Sequence, residues 1–152
     1  EGVSSQQNFY RWRIDAGNRI NTDLYTNSTN EGTILFDQFP SSGSVPSSGE
    51  VLTPGVLVPF NIASRHGSTF VNGAVDGVAL TANTTPTALP DLSNTNLQIA
   101  HDFMGTIGTF RQFAGDIGDT GLVTATNPST EPTLSLTFDG TGGSFYNLSW
   151  SE

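Results

Sequence analysis

The chain has no cysteine and no lysine, a single methionine, and only two histidines, His66 and His101. Without cysteine there are no disulfides and no thiolate metal sites, so stability has to come from the core, from assembly or from bound ions. Positive charge is scarce. Five arginines face fourteen carboxylates, for a net charge of −9. A phosphate backbone repels such a surface, which argues against nucleic acid as a partner, and an anionic membrane is disfavoured on the same ground. The plain reading of the acidity is solubility. No apolar run approaches the roughly 20 residues that a membrane-spanning helix needs.

Gly, Ser, Thr and Asn are abundant, and aromatic and β-branched residues recur at strand-like spacing. At 152 residues, the chain has the length of one domain with a real core, here residues 1–152. A start at Glu1-Gly2-Val3 reads as a piece of a longer protein. Asn8 to Asp15 (NFYRWRID) is the first convincing strand, and its alternation places Phe9, Arg11 and Arg13 on one face and Tyr10, Trp12 and Ile14 on the other. Ala16-Gly17-Asn18 turns the chain into a partner strand, Arg19 to Tyr25, and the apolar run Thr33 to Phe39 follows. Short strands continue around Ile62, Val71, Val78, Leu97 to Ile99, and Ile107 to Phe113. Thr133 to Phe138 and Phe145 to Trp150 complete the pattern in the tail. Asp76-Gly77 supplies the positive φ that a two-residue hairpin loop requires, with Asn72-Gly73 as a competing turn. The one good helix is Asp116 to Thr126, with Asp119 placed to cap it and Gly121 weakening its first turn. Many short strands with frequent turns predict an all-β sandwich of two antiparallel sheets with one short helix. Its expected core is Ile14, Leu35, Ile62, Val71, Leu97, Ile99, Ile107 and Phe110.

The central stretch also carries a likeness. His66-Gly67, Asp76-Gly77-Val78, Leu89-Pro90, Leu97-Gln98-Ile99, and then Phe103, Gly105, Ile107, Phe110 and Arg111 occur in an order that resembles the concanavalin/laminin-G-like jelly rolls appended to bacteriophage tail fibres and tailspikes. Asp116 to Thr126 is similar to the short acidic turn and helix that usually follows in them. The resemblance implies a jelly-roll fold and a trimeric virion module that attaches to a bacterial surface glycan. It also allows calcium at loop aspartates, for which Asp116, Asp119 and Asp139 are the candidates. Hard oxygen ligands of this kind suit calcium, but no D-x-[DN]-x-[DN]-G series occurs, and Asp119 is already explained as a cap.

Catalysis finds little support in the residues. No serine stands in a G-x-S-x-G elbow, and no sequence pattern pairs a serine with an activating histidine. The glutamates at 1, 31, 50, 131 and 152 fall in predicted loops or termini, and none has the close carboxylate neighbour that a jelly-roll glycosidase carries. His66 reads as a solvated turn residue. The sequons at Asn27, Asn83 and Asn147 are what a chain rich in Asn and Thr produces by chance.

Sugar binding needs an aromatic face and polar groups for the hydroxyls. Tyr10, Trp12, Tyr25, Tyr146 and Trp150 are the amphipathic aromatics, although either tryptophan serves equally well as core. Arg11, Arg13 and Arg111 have planar forks suited to carboxylated sugars or to the domain's own acids. The expected ligand-binding set is Tyr10, Trp12, His101, Asp102 and Arg111, on a non-catalytic module. The alternatives are a fibre module that trimerises or caps without binding sugar, a secreted bacterial carbohydrate-binding module and, more remotely, a hydrolase or lyase.

Overall fold

Strand β1 (Gln6–Asp15) and strand β2 (Asn18–Tyr25) form an antiparallel hairpin. Its turn is fixed locally, because the Asp15 carboxylate accepts the Gly17 N–H at 2.7 Å and the Asn18 side-chain amide at 3.1 Å. The same backbone bond, with help from Asn18, holds the Asp15 carboxyl below its usual range. Next come β3 (Ile34–Phe39), β4 (Val45–Pro46), β5 (Ile62–His66), β6 (Val71–Val75), β7 (Val78–Ala79), β8 (Leu97–Ile99) and β9 (Met104–Ile107). Helix α1 (Gly118–Thr126) and strand β10 (Leu136–Asp139) follow. This computed structural model describes residues 6–26, 31–39, 44–46, 52, 58–89, 91–127 and 136–139. The expected strand Phe145 to Trp150, with Tyr146, and the sequons at Asn27 and Asn147 lie outside them.

The described strands form a five-stranded antiparallel sheet in the order β4-β3-β2-β1-β8, a three-stranded sheet β5-β6-β7, and a β9-β10 pair. The fold is therefore all-β and sandwich-like with one short helix. The core sits between the larger sheets. Phe9, Leu24, Ile34, Phe36, Ala100 and Phe103 form its buried cluster, with Ile62, Ile99 and Ile107 packed against it. Phe9 meets Phe60 edge-on at 5.5 Å between ring centroids and Phe103 at 5.0 Å, the offset geometry that aromatic quadrupoles favour.

Several expectations change. A bulge between Asn8 and Tyr10 puts Phe9 and Tyr10 on the same, inward side, so the simple alternation fails at that point. Ile14 is 54% exposed, because β1 runs past the edge of the core at the hairpin tip. Leu35 is only half-buried, since its neighbours Ile34 and Phe36 take the inward positions. Val71 is fully buried as expected. The turn falls at Asp76-Gly77, with φ of 46° and 78°, and Asn72-Gly73 stays inside β6. A β-carbon on Gly73 would overlap the Phe36 ring, so this glycine serves close sheet-to-sheet approach. The strand expected over Ile107 to Phe113 is instead β9, and residues 108–113 are irregular. Asp119 does not cap α1. The cap position is Ile117, without a side-chain hydrogen bond.

Candidate functional site

The outer face of the five-stranded sheet is built from polar residues in register. Across the strands, Gln98 lies opposite Arg11, Arg11 opposite Asn21, and Asn21 opposite Asp37. Alternation along β2 brings Arg19, Asn21 and Asp23 to this one face. Their side chains are bonded continuously from edge to edge. Arg11 Nε donates to Gln98 Oε1 at 2.5 Å and its Nη1 to Asn8 Oδ1 at 3.3 Å. Asn8 and Asn21 both donate to the Asp23 carboxylate. Arg19 Nε donates to Asn21 Oδ1 at 2.9 Å, and its Nη2 pairs with Asp37 Oδ2 at 3.4 Å. Ser44 Oγ donates to Asp37 Oδ1 at 2.6 Å.

The row has a floor and a rim. Asn21, Asp23 and Asp37 are 3%, 2% and 1% exposed, whereas Arg11 and Arg19 are half-buried and Arg13 is exposed. Burial raises the Asp23 carboxyl to about 6, with the Asp37 charge adding to the effect and the Asn8 and Asn21 amides opposing it. The buried amides and acids thus position guanidinium groups that lie above them. Arg19 also stacks over the Phe39 ring at 3.9 Å, a cation–π contact that covers one face of that aromatic. Sequence reading missed this row because its members are common polar types. Their i, i+2 spacing on β2 was the available signal.

The sequence-predicted residues fall in three places. Tyr10 points into the sandwich, where its hydroxyl bonds Ser64 and its ring meets Phe110 edge-on at 6.1 Å. Burial raises its pKa. Tyr10 is thereby removed as a platform for sugar stacking. Trp12 shares that inward face, and its Nε1 is buried without a hydrogen-bond partner. His101 and Asp102 occupy the turn after β8, and β8 does lie beside β1, with Tyr10 opposite Ile99. His101 Nδ1 lies 2.6 Å from Asp102 Oδ2, but out of line for a hydrogen bond. Asp102 takes a left-handed φ of 57°, and its charge reaches Arg11 on the outer face. Arg111 is exposed in the irregular stretch after β9. The five residues therefore do not converge on one surface.

Two of the three expected calcium ligands, Asp116 and Asp119, are engaged by Arg65. Arg65 forms a bidentate pair with Asp116 at 2.6 and 2.7 Å and also bonds Asp119. Asn72 donates to Asp119 at 2.9 Å, and the guanidinium lies over Phe70 at 4.3 Å. Arg65, with the Gly118 N–H, holds the Asp116 carboxyl at about 2. Asp139 ends β10 opposite Met104, and the residues that follow it lie outside the described ones. No group of three or more His, Asp or Glu suited to a metal occurs among the described residues.

His66 also differs from expectation. It ends β5, and although the residue as a whole is half-buried, its ring is enclosed, which lowers its pKa to about 4. Nε2 lies 3.0 Å from Ser64 Oγ, so a Tyr10–Ser64–His66 chain links the two sheets. Nδ1 has no partner, and nothing there orients the ring or stabilises an imidazolium, as an activated serine requires. The chain is an inter-sheet tie. Comparison of the sequence with protein-family models finds no match, and comparisons with curated proteins and with solved structures find none either.

Proposed function

We propose that this domain is a non-catalytic glycan-binding module and that the outer face of the five-stranded sheet is its binding face. The observation that carries this reading is the edge-to-edge polar row, a buried hydrogen-bonding floor beneath part-exposed arginines. Sugar hydroxyls are read by such fixed donors and acceptors, and a rigid strand scaffold keeps them in place without an ordering cost at binding. The resemblance of the central stretch to jelly-roll modules of phage tail fibres and tailspikes gives this face a setting. The module would attach a virion to a bacterial surface polysaccharide, working as a homotrimer outside the cell, with no nucleic acid and no membrane insertion. Recognition moves from the Tyr10 and Trp12 side, which faces the core, to Arg11, Arg13, Arg19 and Gln98.

Retention on immobilised bacterial surface polysaccharides tests the proposal, with Arg11→Ala as the reporting variant. Loss of one charge-assisted hydrogen-bonding group should weaken retention about tenfold or more. Equal retention of variant and parent would remove this face from the function. Release of reducing ends by the parent protein would point to a hydrolase instead.

A second reading is favoured by a separate observation. Ile14, Val58, Val78, Leu89, Met104 and Phe113 are large apolar residues at the surface, as a structural module that packs into a fibre would present. That reading predicts assembly without any glycan retention.

A further inference from the structure

The five arginines are not equivalent. Arg65 is neutralised by Asp116 and Asp119, and Arg19 by Asp37. Arg11 is held by the neutral amide oxygens of Gln98 and Asn8, and it has no carboxylate within ion-pair distance among the described residues. Arg13 is exposed and bonds no described residue. The two stand at i and i+2 on β1, so their Cα atoms are about 7 Å apart on the same outer face. Arg13 is moreover directly opposite Arg19 across the hairpin, and like charges at directly opposed positions are destabilising. Burial, chiefly, and then the Arg13 charge push the Arg11 guanidinium below its ordinary pKa, with the more distant Asp102 and Asp23 charges opposing them. A chain with net charge −9 thus places three of its five cations together on one sheet face and leaves two of them without a carboxylate in ion-pair contact among the described residues.

We infer that this face takes a carboxylated sugar, a uronic acid or similar acidic unit, with Arg11 and Arg13 as the groups that bind its carboxylate. The inference rests on the reading of this face as a glycan site. Arg11 keeps its Nη2 edge after Nε and Nη1 are engaged by Gln98 and Asn8, and Arg13 keeps its whole fork. Two guanidinium groups carried at i and i+2 on one strand face can reach the oxygens of one carboxylate, or a carboxylate and an adjacent hydroxyl. Stacking contributes less here, because Arg19 already covers the Phe39 ring. The surrounding acidity disfavours anions that lack such a local match, which makes the pair a filter as well as an anchor.

Nuclear magnetic resonance of the side-chain Nε–H and backbone amides tests this with four probes at matched ionic strength: sodium glucuronate, its methyl ester, glucose and acetate. Glucuronate should shift the Arg11 and Arg13 Nε–H signals saturably, with the ester, glucose and acetate at least about tenfold weaker. Arg13→Gln, on an exposed residue opposite Arg19, should lose about tenfold in glucuronate affinity at a Tm no lower than the parent's. Equal responses to glucose or the ester would overturn the acidic-sugar class and leave the glycan reading standing. Acetate as effective as glucuronate would mean an adventitious ion only, and would overturn the class too. Shifts elsewhere than on β1, β2 and β8, or none with any sugar, would overturn both.

Discussion

Two buried titratable residues pull the stability of this domain in opposite directions over one pH range. His66 is lowered from 6.5 to about 4 by desolvation, so between those values the unfolded chain binds the proton that the folded chain refuses. Its effect is that stability falls as pH drops from 6.5 through 4. Asp23 is raised from 3.8 to about 6, chiefly by desolvation, so the folded chain binds the extra proton and stability rises as pH falls through 6 towards 3.8. Each shift corresponds to about 3 kcal/mol by linkage. The two nearly cancel, and urea midpoints of the parent protein should change little between these limits on their account. Asp23→Asn removes one arm and leaves the other. Its stability should then fall by about 3 kcal/mol between pH 6.5 and 4, which denaturant titrations across that range would measure. A variant as flat as the parent would place His66 in contact with solvent after all.

Helix α1 is held to the three-stranded sheet by the Arg65 clamp and by Leu122, which is fully buried. Thr126 Oγ1 adds a contact, accepting the Gly77 N–H at 3.0 Å. Replacing Arg65 with alanine removes the clamp but not the apolar contact. Hydrogen exchange of the 118–126 amides should speed up while β1 and β2 stay protected. Arg65→Lys should behave like the alanine variant, because an ammonium cannot reproduce the bidentate fork on Asp116. Since the Asp116 carboxyl is depressed to about 2, the pairing should persist as pH falls and be lost only as pH drops through that value. Gly73→Ala makes a sharper test of the sheet-to-sheet approach. A β-carbon there would overlap Phe36, and overpacking of this kind typically costs about 1–3 kcal/mol, readable as a lower denaturation midpoint. These elements also show which parts of the fold were legible in the sequence. The Asp76-Gly77 turn was readable because its requirement, positive φ at both residues, is met by local chemistry. Asn72-Gly73 misled because that glycine answers to Phe36, far away in sequence. The bulge at Phe9 and the ring environment of His66 depend on partners across the sandwich, which alternation along one strand does not carry. The same holds for the site. Arg11 and Arg13 were visible as candidates, but the amide partners of Arg11, and the burial of Tyr10 against Ser64, appear only when β1, β5 and β8 are brought together.

At the scale of the whole molecule, charge and apolar surface oppose one another. A trimer would bring together three chains that each carry −9, and this self-repulsion disfavours association. Ile14, Val58, Val78, Leu89, Met104 and Phe113 are exposed and supply the opposing apolar drive. Val78 is the most exposed of them at 65%, and it lies on β7, an edge strand of the three-stranded sheet. An apolar residue on a sheet edge is a natural contact for another copy. If apolar contacts drive assembly against repulsion, added salt should strengthen it, since the Debye length shrinks to about 10 Å at 0.1 M and less beyond. Salt would weaken an assembly held by ion pairs. Size exclusion with light scattering over a salt series therefore distinguishes the forces as well as the state. The expected result is a mass three times 16.1 kDa whose share rises with salt. Val78→Asp adds a charge at the edge and should shift that balance towards the monomer at every salt concentration, while the single chain stays folded, because the residue is exposed in it. A monomer peak throughout the series for the parent protein would remove the homotrimer from the proposal and leave the polar sheet face to act in single copies.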